Sequence, residues 1–286
     1  MGYGQYSTSN RSVNAISLDY ANAPREQIFT QRGINPDMSP MGVKIRESRD
    51  SVEHPDSLPI ILGLDVTGSM GYIPHQFIKD GLPTVMGTLV EKAGIPDAQL
   101  MLMAIGDHKN DQAPLQVSQF ETSDELLDKW LKMIWLEGNG GGNGGESYHL
   151  AWYFAAQHTA TDAWDKRKQK GFLFTIGDEP VHNTLSNFSL TKIMGVGEYN
   201  ETGASYWLEK VRERYHVIHF YVTSTGSHYT NDREGWKELL GENVIFVADH
   251  QTIPTLMAEY IINHYKTPPV SKIASKPSVS SEEEIL

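Results

Sequence analysis

Between residues 58 and 265, short apolar runs alternate with stretches whose apolar positions recur at helical spacing. Residues 59–65 form an apolar run that ends in a carboxylate, which predicts a buried parallel strand. Residues 72–93 follow with Ile73, Phe77, Leu82, Val85, Met86 and Leu89 on one helical pattern, stopped by Gly94 and Pro96. Further strands are predicted at 99–106, 115–120, 171–177, 217–222 and 244–247. Helices are predicted at 123–135 with Ser123 as N-cap, at 147–158, at 236–240 and at 253–264. This alternation implies an α/β fold with a doubly wound, mostly parallel central sheet flanked by helices. In such sheets ligands bind at the carboxyl ends of the strands. Asp65, Asp107 and Asp178 each stand where a predicted strand ends, and three acids converging on one rim form a metal-site pattern.

The flanks read differently. Residues 1–57 lack steady periodicity and predict an extended N-terminal arm, with Ile28-Phe29 and Val43-Lys44-Ile45 apolar enough to dock. Residues 266–286 carry Pro-Pro, scattered Lys and Ser and an acidic triplet, a composition that predicts a disordered tail. Hydrophobic residues make up 39% of the 286, enough to build a core. The net charge of -12 and the absence of a dense Lys/Arg cluster speak against nucleic-acid binding. With no cysteine there are no disulfides, no thiolate metal sites and no cysteine nucleophile. The polar start and the lack of a long apolar run predict neither a secretory signal nor a membrane span, and so a cytoplasmic location.

The chemistry concentrates at Asp65-Val66-Thr67-Gly68-Ser69. A carboxylate and two hydroxyls at i, i+2 and i+4 leave a strand and enter a helix, offering hard oxygen that suits Mg²⁺ or Mn²⁺ (or Ca²⁺). The adjacent helix N-terminus disfavours a cation, so further carboxylates are needed, and Asp178 and Glu146 are the candidates. The bland alternative is a capped strand-to-helix turn. A phosphate-binding loop fails because Ser69 stands where Lys is required, and a nucleophile elbow fails because Thr67 replaces its first Gly. An aspartyl-phosphate phosphatase of the haloacid-dehalogenase type, with Asp65 as nucleophile, is a closer competitor. Its second acidic motif, however, wants a further Asp where this chain has His182-Asn183.

Asp-x-Thr-Gly-Ser after an apolar strand, with Asp178 ending a later strand, resembles the von Willebrand factor A family over roughly residues 58–265. The resemblance implies a metal-ion-dependent adhesion site in which Thr67 and Ser69 bind the cation through hydroxyls. Asp65 and Asp178 would hold it, often through water. The family keeps a Thr after paired glycines. Here Gly144-Gly145 lead into Glu146-Ser147, so either Glu146 is the ligand or Ser147 supplies the hydroxyl. Asp107-His108 and the Gly-run ending in Gly-Glu look closer to the A domains found with alpha-kinases. The resemblance implies a protein-binding module, with a partner supplying an acidic side chain to the metal. Intracellular members commonly act as scaffolds beside AAA+ ATPases of the MoxR kind, and a structural part of a larger assembly is a further option.

Around this site, Asp107, Ser147 and Glu179 are candidates for orienting waters or hydroxyls, and Gly144 and Gly145 for close backbone approach. The eleven histidines show no zinc-type spacing, although His75, His108, His149 and His182 fall near the predicted rim. Trp130, Trp135 and Trp152 are read as core.

Overall fold

A computed structural model describes residues 4–10, 23–138, 144–225 and 230–265. The predicted tail at 266–286 and the middle of the glycine run lie outside these. The chain is a mixed α/β protein built on a six-stranded sheet. Its strands are β1 (Leu58–Asp65), β2 (Ala98–Ile105), β3 (Leu115–Glu121), β4 (Gly171–Gly177), β5 (Tyr215–Val222) and β6 (Val244–Val247). The spatial order is β6-β5-β4-β1-β2-β3. All pairings are parallel except β2 with β3, which is antiparallel and shifts register between Met101 and Met103.

The helices are α1 (73–92), α2 (Asp124–Lys132), α3 (Tyr148–Gln157), α4 (Asp162–Arg167), α5 (Asn187–Met194), α6 (Ala204–Arg212), α7 (Thr230–Leu240) and α8 (Ile253–His264). Two wider π turns, Phe77–Gly81 and Thr88–Lys92, interrupt α1. Ser123 caps α2 as its type predicts, its hydroxyl accepting from the Leu126 N–H. Three short helices, α4, α5 and α6, were not among the predicted elements, although Ala204, Trp207, Leu208 and Val211 of α6 stand at helical spacing. Ser186 caps α5 and Thr161 caps α4 through side-chain oxygens.

Because side chains alternate across a strand, β1 splits its residues between two cores. Ile60, Leu62 and Leu64 join Phe77, Val85, Met86, Leu127, Met257 and Ile261 from α1, α2 and α8. Ile61 faces the other way, onto α3, α6 and α7, with Trp152, Leu208 and Trp236. Asp65 shares the parity of Ile61, so its carboxylate is delivered to the α3 side. The helix α3 is buried from Tyr148 to Ala155 on all sides, as a helix apolar around its whole circumference must be.

The N-terminal segment is packed on the domain. Ile28, Phe29 and Met38 are buried in the first core. Of the second apolar segment, Val43 packs against the other core while Ile45 is exposed. Arg46–Ser48 pairs in parallel with Thr159–Thr161, and the buried His54 ring bridges Asp97 and the Gly4 carbonyl. No helix among the described residues is long and apolar enough to cross a membrane.

Gly63, mid-strand in β1, is required by close packing. A Cβ there would lie 2.7 Å from Ile105 Cδ1 and 3.2 Å from Thr175 Cγ2. Gly63→Ala is therefore expected to cost about 1–3 kcal/mol by overpacking. Shortening the clashing side chain with Ile105→Val should recover part of that loss, so the double mutant should be more stable than the two single effects predict. Urea unfolding of the four proteins measures this; strict additivity would refute the clash.

Candidate metal centre

Asp65 ends β1 with its carboxylate fully buried. Oδ1 accepts from the Thr67 N–H at 2.9 Å and the Thr67 hydroxyl at 2.6 Å, while Oδ2 accepts from the Tyr148 hydroxyl at 2.6 Å. The next turn, Gly68–Met70, brings the Ser69 hydroxyl 3.4 Å from that of Thr67 and lets it donate to Asp178 Oδ1 at 2.9 Å. Gly71 closes this turn at φ 52°, a conformation that favours glycine, and its carbonyl accepts from the Arg25 guanidinium. Thus β1 and β4, neighbours in the sheet, bring Asp65, Thr67, Ser69 and Asp178 together at one rim.

The loop before α3 supplies the fifth residue. Glu146 lies beside Val181 in a parallel bridge: its N–H donates to the Pro180 carbonyl at 2.8 Å, and its carbonyl accepts from the His182 N–H at 3.0 Å. Its carboxyl group is buried, and Oε2 makes no hydrogen bond. Asp178 Oδ2 is likewise buried without a partner. Ser69 is exposed, so the arrangement has an acidic floor and an open, hydroxyl-bearing lip.

The electrostatics follow from burial. Desolvation, then the Asp178 charge, pushes Asp65 well above the ordinary carboxylate range; hydrogen bonds from Thr67 and Tyr148 offset part of this. Desolvation pushes Glu146 up as well, reinforced by the charges of Asp65, Asp107, Asp111 and Glu179. Tyr148 rises for the same reasons and stays a donor. Among the described residues, no cationic side chain pairs with Asp65, Glu146 or Asp178. Hard oxygens, orphaned buried carboxylate atoms and no internal counter-ion fit a divalent cation.

The remaining candidates sort by contact. The Ser147 hydroxyl accepts from the His108 N–H and lies 2.8 Å from His108 Nδ1, so it faces the histidines and not Asp65. Asp107 sits in a separate group: its Oδ1 lies 2.8 Å from His182 Nε2, and its Oδ2 accepts from the Asn110 amide. Glu179 follows Asp178, half-buried, and its carbonyl accepts from the Trp236 indole. Gly144 is at φ 70°, and Gly145 leaves no room for a side chain beside His182 and the Pro180 carbonyl. Of the rim histidines, His108, His149 and His182 cluster, whereas His75 packs against Phe29. Burial holds His108 down at about 4 and His149 at about 3, so both are neutral imidazoles near neutral pH.

Tyr148 escaped the sequence reading. It is fixed by its helix and by edge-on packing against His219 and Trp236, which stack on each other at 3.8 Å. A Cβ on Gly177 would collide with its hydroxyl. The only available cue was its place in the first turn of a helix that the glycine run delivers to the rim.

Two raised carboxyls make stability pH-dependent in the metal-free protein. Folded, they keep protons that the unfolded chain releases near its ordinary values of 3.8 and 4.5. Their stabilising contribution is complete below those values and is lost as pH rises through the raised ones. In chelator, the urea midpoint should fall between about pH 5 and about pH 8, since each tenfold change in proton affinity is worth about 1.4 kcal/mol. The neutral isosteres Asp65→Asn and Glu146→Gln should each flatten that slope; a slope unchanged by both would refute the assignment.

No family model and no curated protein matches this chain. Among solved structures, it superposes on the pilus adhesin SpaC of Lactobacillus rhamnosus GG in the open conformation, with a TM-score of 0.49 and 11% identity, covering 76% of this chain and 31% of the adhesin. A second SpaC structure gives 0.49 and 11%, covering 76% and 32%. Proximal thread matrix protein 1 of the mussel byssus gives 0.46 and 11%, covering 76% of this chain and 48% of that protein. The chain therefore spans less than half the length of each.

Proposed function

We propose that this protein is a divalent-cation-dependent binding module with a von Willebrand factor A architecture, doubly wound, and an adhesion-type metal site. Thr67 and Ser69 would offer hydroxyl oxygens to Mg²⁺ or Mn²⁺, while Asp65, Glu146 and Asp178 supply charge directly or through water. The observation that carries the reading is the pair of buried carboxylate oxygens left without hydrogen-bond partners: Asp178 Oδ2, on the acid that Ser69 contacts, and Glu146 Oε2, on the acid that feels the Asp65 charge. A dication relieves both the desolvation and the mutual repulsion of these acids. The engagement of Ser147 by His108 favours Glu146 as the residue in the usual Thr position.

Three acids around one dication leave little net positive charge to attract an acidic partner. Tight metal binding is thus better supported than strong acidic-ligand capture. The open lip at Ser69, next to the exposed Tyr72, is where a partner protein would meet the metal. An AAA+ ATPase or another assembly component in the cytoplasm is the partner class that the family resemblance implies. The phosphatase alternative is disfavoured by Asp65 itself, which is fully buried with both oxygens engaged and is poorly placed to attack phosphorus.

Calorimetric titration of metal-stripped protein tests the reading. Mg²⁺ or Mn²⁺ should bind at one equivalent, and saturation at about 100-fold over Kd should add about 2.7 kcal/mol of stability. Asp65→Ala should abolish binding, and Glu146→Thr should weaken it. Absence of binding by the wild type would refute the proposal. Turnover of p-nitrophenyl phosphate that vanishes in Asp65→Asn would replace it with the phosphatase.

A further inference from the structure

Beside the acidic floor lies a group of different chemistry. His108, His149 and His182 come from three separate segments, yet their ring centroids are 5.0 Å apart for His108–His182, 5.4 Å for His108–His149 and 6.4 Å for His149–His182. Asp107, His108 and His182 each present one ligand atom, all within 4.8 Å of one another. Metal–nitrogen and metal–oxygen bonds of about 2.0–2.2 Å around one ion put donors up to about 4.3 Å apart, so small side-chain adjustments suffice.

We propose that Asp107, His108 and His182 form a second cation site, distinct from the acidic one, for an imidazole-preferring first-row divalent ion of the Zn²⁺ or Fe²⁺ class. Two imidazoles and one carboxylate select such ions over Mg²⁺, and three protein ligands leave coordination positions open.

The surroundings orient the donors as ligand sets require. The Ser147 hydroxyl sits on His108 Nδ1, and Nε2 of that ring makes no hydrogen bond among the described residues. His182 is held between Asp107 Oδ1 at Nε2 and the Lys109 ammonium, 3.1 Å from Nδ1. Lys109 thus donates to Nδ1 while Nε2–H donates to Asp107; an ion taking Nε2 moves the ring proton to Nδ1, and the exposed Lys109 ammonium turns out to solvent. The Asn110 amide and the Lys109 N–H fix the Asp107 carboxylate from behind. The glycine at 145 is needed for the same geometry, since a Cβ there would stand 2.9 Å from His182 Nδ1. His149 packs its ring against both His108 and His182, with its own Nε2 3.2 Å from the Thr184 carbonyl. His108 is half-buried, which gives an ion a way in.

Co²⁺, a spectroscopic stand-in for Zn²⁺, makes the test direct. Metal-stripped full-length protein is titrated with Co²⁺ in millimolar Mg²⁺, followed by visible absorption and by proton NMR. One Co²⁺ equivalent should bind and persist in Mg²⁺, with paramagnetically shifted imidazole N–H resonances from two histidines in the wild type. His108→Ala, at the half-buried position that should tolerate the change, and His182→Ala should each weaken Co²⁺ uptake by at least about tenfold. Absence of shifted histidine resonances, stoichiometric displacement by Mg²⁺, or unchanged uptake in His108→Ala would overturn the proposal. Failure of the acidic site would appear separately, as lost Mg²⁺ binding with Co²⁺ uptake intact.

Discussion

A carboxylate at the end of a central strand has to be held away from water, and the rim is organised around that demand. Asp65 receives three hydrogen bonds, two from Thr67 and one from Tyr148. Such donors offset the loss of hydration, because bonds to a charged acceptor are stronger than neutral ones. They leave the repulsion from Asp178 and Glu146, which protonation or an added positive charge can offset. Among the described residues no lysine or arginine lies against these three acids, and in the proposed site that role falls to an external cation.

Holding Asp65 in turn depends on packing well behind the rim. Tyr148 reaches it because α3 is buried along most of its length, because Gly177 has no side chain to obstruct the phenol, and because the stacked His219–Trp236 pair supports the ring. The core on the α3 face and the polar rim are therefore one packing unit. The N-terminal segment takes part from the other side, where Ile28 and Phe29 enter the first core and Arg25 ties down the Gly71 carbonyl.

The central sheet was legible because buried parallel strands are nearly pure apolar runs, as in residues 58–65 and 171–177. The short helices α4 and α5 were not, since each carries few apolar positions and starts on a side-chain cap, whereas α6 does carry Ala204, Trp207, Leu208 and Val211 at helical spacing and was legible without being read. The histidines were placed near the rim, but their assembly into one cluster was not legible, for another reason. Its members follow β2, sit on α3 and follow β4, so no local spacing joins them; parallel strand order brings them together.

The sequence by itself determined that acidic and hydroxyl side chains collect at one rim. The carboxyl ends of parallel strands share an edge, so Asp65, Asp107 and Asp178 were all bound for it; strand order and side-chain partners then joined Asp178 to Ser69 and left Asp107 with His182. Only the tertiary structure decided which way the residues before α3 point. Glu146 and Ser147 are adjacent in sequence and were both candidate donors, with Glu146 preferred, but the Glu146–Val181 bridge buries one beside the acids while His108 claims the hydroxyl of the other. Side-chain direction at a helix entry is fixed by backbone torsions and by partners distant in sequence, and neither is written in the local run of residues.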